Sequence, residues 1–234
     1  AGLPRLGGLG DTPLERLVAL RPDLVLLPEA ARIGPRLDAL GIPYLVFEPR
    51  TRAELRLSLD RLATALGGTA PAEADRVWRT IESGLAEARA AVPAQDQGRS
   101  VYFEVSSAGH AAGTRSFIGE TLAGLGLRNI VPAEQGAFPL LSPEFVLRAD
   151  PDWIMSTEAG RPDWGSRPGW RGLKALRQGQ VCQFTPAEVD ALVRAGPRLV
   201  AGARAVLECL RTASRAAPAL TPASLPTPTL EAVR

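Results

Sequence analysis

The sequence predicts an α/β fold of two similar lobes, each built on a parallel sheet, joined by one long helix. Three observations carry this expectation. Short apolar runs alternate with amphipathic stretches along the chain, the grammar of β-α-β units. One stretch near the start recurs 129 residues later without a gap. The 234 residues are 45% hydrophobic and 22% charged, which suffices for a buried core and suits a globular protein. The formal charge is only +2, and the basic residues are mostly scattered arginines, a pattern that gives nucleic-acid binding little support. No apolar run approaches the ~20 residues of a membrane span.

Each element has its own signal. Thr12-Pro13-Leu14-Glu15 opens a helix, with Thr as cap, Pro at the first helical position and an apolar face of Leu14, Leu17, Val18 and Leu20. Arg21-Pro22-Asp23 ends it, and Leu24-Val25-Leu26-Leu27 reads as a strand covered on both faces. Residues 31–40 read as helix and Gly41 to Phe47 as the next strand. Helices are expected over 52–66, with Leu55, Leu59, Leu62 and Leu66 in line, and over 71–92, with Trp78, Ile81 and Leu85 on one face. At 1.5 Å per residue the second would span ~30 Å, about the width of a small domain. The grammar then resumes: a strand at 101–105, a small-residue loop from Ser106 to Gly113, a helix at 116–125, a helix opened by Ser142-Pro143-Glu144, a strand at 153–155, a helix at 168–178, a strand at 181–184 and a closing helix at 190–212. The expected organisation is a first lobe over 1–70, a linking helix over 71–94, a second lobe over 95–212, and a disordered tail over 213–234, rich in Ala, Pro, Thr and Ser.

The repeat sets Pro13 to Leu26 against Ser142 to Met155. The glutamates Glu15 and Glu144, the pairs Pro22-Asp23 and Pro151-Asp152, and the apolar positions coincide. Phe47-Glu48-Pro49 against Phe184-Thr185-Pro186 is a second match in the same order. Ligands of open α/β sheets sit beyond the carboxyl ends of the strands, so two facing lobes would offer a cleft between them.

Enzyme signatures are sparse. There is no GxSxG elbow, P-loop or HExxH, and Gly7-Gly8-Leu9-Gly10 lacks the GxGxxG spacing. The single histidine, His110, argues against a zinc or manganese receptor needing three or four His, Asp or Glu ligands. Cys182 and Cys209 form no CxxC pair; they are either one disulfide in an exported protein or two buried thiols. An α/β enzyme of two such lobes, such as a nucleotide-sugar transferase holding its nucleotide at Gly7 to Gly10, is the alternative from another class.

Gly7 to Gly10 followed by Pro13 to Val25, Phe138-Pro139-Leu140-Leu141-Ser142-Pro143-Glu144, and Arg194-Ala195-Gly196-Pro197-Arg198 together resemble the periplasmic substrate-binding proteins of cobalamin, siderophore and haem ABC importers, nearest to the cobalamin-binding members. The resemblance covers roughly residues 5 to 212. It implies two Rossmann-like lobes on one long helix with limited hinge motion, a periplasmic location, no catalysis, no resident cofactor, and a monomer that binds a small-molecule chelate and meets ABC transporter membrane subunits. The family pattern carries a strand and helix before the Gly-Gly motif that have no counterpart here, so the first lobe is expected to be incomplete, and no signal peptide is present in this chain.

The resemblance also implies site residues. Glu15 and Glu144 match the glutamates, one per lobe, that dock on transporter arginines; a carboxylate in a helix's first turn is equally explained by the helix dipole. Leu9, Gly10, Pro28, His110, Phe138, Asp190 and Ala191 match ligand-facing positions, and Trp164 could add a ring to the pocket or pack on a neighbouring helix. Leu9, Pro28 and Ala191 are aliphatic where the cobalamin protein is aromatic, while Phe138 keeps an aromatic ring. His110 is either a plain lining residue or an axial ligand to a bound corrinoid, haem or ferric chelate.

Overall fold

The computed structural model describes residues 4–7, 13–158 and 163–216. In the first lobe, α1 (Leu14–Ala19) leads to β1 (Val25–Leu27), α2 (Gly34–Ala39) and β2 (Tyr44–Val46). β1 and β2 pair in parallel, Val25 opposite Tyr44 and Leu27 opposite Val46. Pro13, expected inside the first turn, is the N-cap of α1, and Thr12 lies outside the described residues. Leu17, Leu27 and Leu37 form this lobe's small core, with Val25, Ile33 and Tyr44 packed around them.

Two helices lead out of the lobe. α3 (Arg52–Leu66) starts where the Thr51 hydroxyl accepts the Glu54 N–H (3.1 Å). Leu55 is fully buried, whereas Leu66, expected on the same face, is 63% exposed in the last turn. α4 (Ala70–Ala90) is the long helix. Ile81 packs with Leu55 of α3, Phe117 and Leu199 in an apolar knot that also takes in Phe47 and Trp78. This knot ties first-lobe elements to helices of the second lobe. The Glu120 carboxylate adds a polar tie by accepting the Arg52 N–H (2.7 Å) at the start of α3, where the helix dipole favours an anion.

The second lobe holds β3 (Ser100–Ser106), β4 (His110–Ala111), α5 (Phe117–Gly124), β5 (Arg128–Asn129), α6 (Pro143–Ala149), β6 (Trp153–Ser156), α7 (Lys174–Arg177), β7 (Val181–Gln183), α8 (Pro186–Val193) and α9 (Leu199–Ala216). The sheet order is β4-β3-β6-β7, with β5 also on β3; every pairing is parallel except β3 with β4. The two sheets are separate, as two lobes require.

Three expectations are corrected. The closing helix over 190–212 is two helices, because Gly196-Pro197 interrupts the ladder between α8 and α9; proline has no N–H to give. The helix over 168–178 shrinks to α7, preceded by tight turns at Trp164–Ser166 and Trp170–Gly172 that carry buried tryptophans. The last helix runs on to Ala216, into the stretch read as tail, whose residues 217–234 lie outside the described residues.

The repeat is visible in the backbone. Arg21 (φ 44°) and Asp150 (φ 38°) are matched residues, and both take the left-handed conformation that ends the helix before the Pro-Asp pair. Leu17 and Val146, also matched, are both buried.

Candidate functional site

The site is clearest in the second lobe. β3 runs out into the turn Ser106–Gly109, where Gly109 has φ 95°, and returns as β4. The segment 137–141 lies alongside. Ala111 N–H donates to Pro139 O (3.0 Å), Leu141 N–H to Gly109 O (3.1 Å) and Gly113 N–H to Ala137 O (2.8 Å). A Cβ on Gly113 would stand 2.3 Å from Gly136 O, so glycine is needed for this approach. The pairing sets His110 opposite Leu140. His110 is exposed, and Phe138 and Leu140 are 54% and 64% exposed. An aromatic ring, a leucine and the chain's single imidazole thus share one ridge, in front of α6 and its exposed Glu144. Adjacent exposed apolar side chains on paired backbone make this ridge a candidate contact surface.

The first lobe contributes the carboxyl ends of β1 and β2. Pro28, half-buried, follows β1. Glu29 donates its backbone N–H to Glu48 Oε2 (2.8 Å) and its carboxylate pairs with Arg50 (3.0 Å). Arg50 N–H in turn donates to Glu54 Oε2 (2.7 Å). Glu15 is exposed in the first turn of α1. Leu9 and Gly10 lie outside the described residues.

Other expected residues land elsewhere. Asp190 accepts from Arg194 and Arg198, two exposed arginines; the Arg194 hydrogen bond, then that of Arg198, holds its carboxyl below the ordinary range against the opposing pull of burial. Ala191 is 3% exposed and packs on α9, where a Cβ on Gly202 would stand 2.9 Å from Ala191 O, so it is a core residue rather than a ligand face. Trp164 is also 3% exposed, and its indole N–H points at Glu104 Oε2 (3.4 Å). It packs in the core cluster with Tyr102, Ile154 and Trp170. Cys182 and Cys209 are joined as a disulfide, with Cα atoms 5.8 Å apart, which fastens β7 to α9.

Sequence reasoning missed a buried charged network behind the ridge. Glu104 on β3 is fully buried. Its carboxylate accepts from Arg167 Nη1 (2.6 Å) and Nη2 (3.0 Å) and from the Tyr102 hydroxyl (3.0 Å). The Arg167 guanidinium lies over the Trp170 ring, 4.5 Å from its centroid, and Trp170 meets Tyr102 edge-on. Burial, then the neighbouring Glu104 carboxylate, raises the Tyr102 pKa and keeps the hydroxyl a donor. The hydrogen bonds to Glu104 raise that of Arg167. A glutamate in a strand covered on both faces is the one signal the sequence held, since such a charge must be paired.

Two grooves lie away from the ridge. One of about 680 Å³ runs between α4 and α9, lined by Ile81, Gly84 and Val200 among others. Another of about 520 Å³ lies between Trp164 and the edge of β7. Among the described residues, no group of three or more His, Cys, Asp or Glu side chains is placed to hold a metal ion. Nor is any described helix long and apolar enough to cross a membrane.

The sequence profile of periplasmic binding proteins matches residues 2–188. The chain belongs to the periplasmic binding protein family. Cobalamin-binding proteins from two strains of Halobacterium salinarum are 30% identical to this periplasmic binding protein over 159 residues, covering 64% of it and 42% of the relatives. The chain thus spans less than half the length of those curated relatives. Among solved structures, a periplasmic solute-binding protein from Staphylococcus epidermidis superposes with a TM-score of 0.76 at 20% identity, covering 86% of this chain and 81% of the other. The haem-binding protein RhuT from Roseiflexus sp. RS-1 gives 0.70 at 24%, with 91% and 84% covered. The vitamin B12-binding protein BtuF of Vibrio cholerae gives 0.66 at 21%, with 91% and 83% covered. These likenesses show the two-lobed fold; the family and these neighbours are solute-binding proteins.

Proposed function

We propose that this protein binds a corrinoid, or a similarly large chelate with an apolar face, between its two lobes and delivers it to the membrane subunits of an ABC importer. The observation that carries the reading is the ridge of Phe138, Leu140 and His110, presented by paired backbone on a lobe whose sheet is separate from that of the first. A broad apolar ligand face would cover these side chains, and the cobalamin-binding relatives point to the same class. The protein acts as a monomer without catalysis, in the periplasm. The Cys182–Cys209 disulfide suits that oxidising compartment. Glu15 and Glu144, exposed in matched helices and without an ion-pair partner among the described residues, serve as one docking charge per lobe.

A haem reading has one observation in its favour. His110 is exposed beside the apolar pair, where an imidazole can meet a metal at the centre of a planar macrocycle.

The test is titration of purified protein with cyanocobalamin, cobinamide, haemin and ferric siderophores, followed by tryptophan fluorescence. A saturable one-to-one response to a corrinoid is expected. Tight binding of haemin alone, with a Soret band that changes in His110→Ala, moves the assignment to haem. No saturable response to any of them removes the reading. In the same protein, Glu15→Ala with Glu144→Ala is expected to leave ligand affinity unchanged and to abolish uptake through the transporter.

A further inference from the structure

A buried ion pair is an odd choice for holding a lobe together. Desolvation cancels much of its attraction, and apolar residues of the same volume are often as stabilising. What the pair offers here is geometry. A guanidinium fork on a carboxylate fixes distance and orientation together, which an apolar contact does not.

Its place in the fold says what is being fixed. Glu104 is the last residue of β3 paired in regular register with β4, opposite Ala111. The register then shifts, and Ser106 stands opposite His110. The extra residue lies on β3, so the bulge bends β3 into the turn and sets where the turn delivers β4, on which His110 faces outward and its neighbour Ala111 inward by strand alternation. The main chain of Glu104 is held as well: its carbonyl accepts the Thr157 N–H (3.1 Å), and the next residue, Glu158, accepts the Ser107 N–H (2.9 Å) inside the turn. Arg167 reaches Glu104 from the irregular stretch around the Trp164 and Trp170 turns.

We infer that the Glu104–Arg167 pair is a positioning device for the ridge, locking the strand before the bulge to the 163–170 segment so that the Ser106–Ala111 hairpin presents His110 in one orientation. That the ridge faces a ligand rests on the function proposed above; the lock itself does not, and it is tested without any ligand.

His110 is the chain's single histidine, so untagged protein gives one imidazole Cε1–H signal in a carbon–proton correlation spectrum. Arg167→Lys, which keeps the charge but loses the fork, is expected to shift and broaden that signal. So is the double variant Glu104→Leu with Arg167→Met, which leaves no buried charge unpaired and keeps a folded lobe if the single variant does not. Leu210→Ala, a buried site on α9 across the sheet, is the control: it lowers the melting temperature and leaves the signal in place. An unmoved His110 signal in the folded double variant overturns the inference, whatever the protein binds.

Discussion

The two copies of the repeat share their local structure and differ in what surrounds it. Both run helix, left-handed residue, Pro-Asp, strand, and both strands go on to a parallel partner. In the second copy β6 is central: β3 and β7 flank it, and Ile154 and Met155 are fully buried. In the first, Leu26 and Val46 are each 49% exposed, and the described sheet has two strands. The charges divide the same way. In Glu104–Arg167 the carboxylate is fully buried and the guanidinium partner 23% exposed, whereas Glu29–Arg50 is about 70% exposed on both sides. The lesson is that a repeated sequence dictates the element, while its neighbours in the sheet dictate its energetic weight.

Matched substitutions sharpen this contrast. Arg167→Met strands a buried carboxylate and is expected to cost about 3–5 kcal/mol, while Arg50→Met, at an exposed pair, costs under about 1 kcal/mol. Chemical denaturation reads both, and equal costs would break the comparison. Met155→Ala should cost about 2–5 kcal/mol as a core cavity. Leu26→Ala, at the repeat's equivalent position and half-exposed, should cost about 1 kcal/mol.

The smallest expected difference is at the Pro-Asp turns. Asp152 accepts from the Ser100 N–H (2.7 Å) and hydroxyl (2.6 Å) and pairs with Lys174 (3.0 Å). Burial pushes its pKa up, but the Ser100 hydrogen bonds and Lys174 outweigh it and hold it at about 2. Asp23, its counterpart in the repeat, has no such clamp among the described residues. Asp152→Asn should therefore cost about 1–3 kcal/mol and Asp23→Asn under about 0.5 kcal/mol. The sign of the pH effect comes from linkage. A carboxyl whose folded pKa is depressed adds stability above its unfolded value of about 3.9, and that stability is lost as pH falls toward 2. Acid denaturation curves of wild type and Asp152→Asn should converge over that window.

Much of the fold was legible because it is local. Caps, Pro-Asp turns and apolar runs placed α1, α3, α4, α5, β1, β3, β6 and β7 within a residue or two, while α2, β2 and α7 are shorter than expected and the closing helix is two; the repeat announced two lobes. The two-residue strands β4 and β5 were not legible, since no periodicity exists at that length. The break at Gly196-Pro197 was legible in principle, and the apolar pattern on both sides of it concealed it. In the site, His110 and Phe138 came from the resemblance, and backbone pairing brings them together. Glu104 and Arg167 are 63 residues apart, and nothing in the sequence joins a strand glutamate to a loop arginine at that distance. Trp164 was open to either role from the sequence, and the indole turns inward to the carboxylate.

The most direct measurement is a crystal structure of the protein with the tightest-binding chelate of the panel. The ligand is expected between the lobes, one face on Phe138 and Leu140 and its edge within reach of the carboxyl ends of β1 and β2. A ligand seated instead in the groove between α4 and α9, with the ridge left bare, would contradict the proposed function.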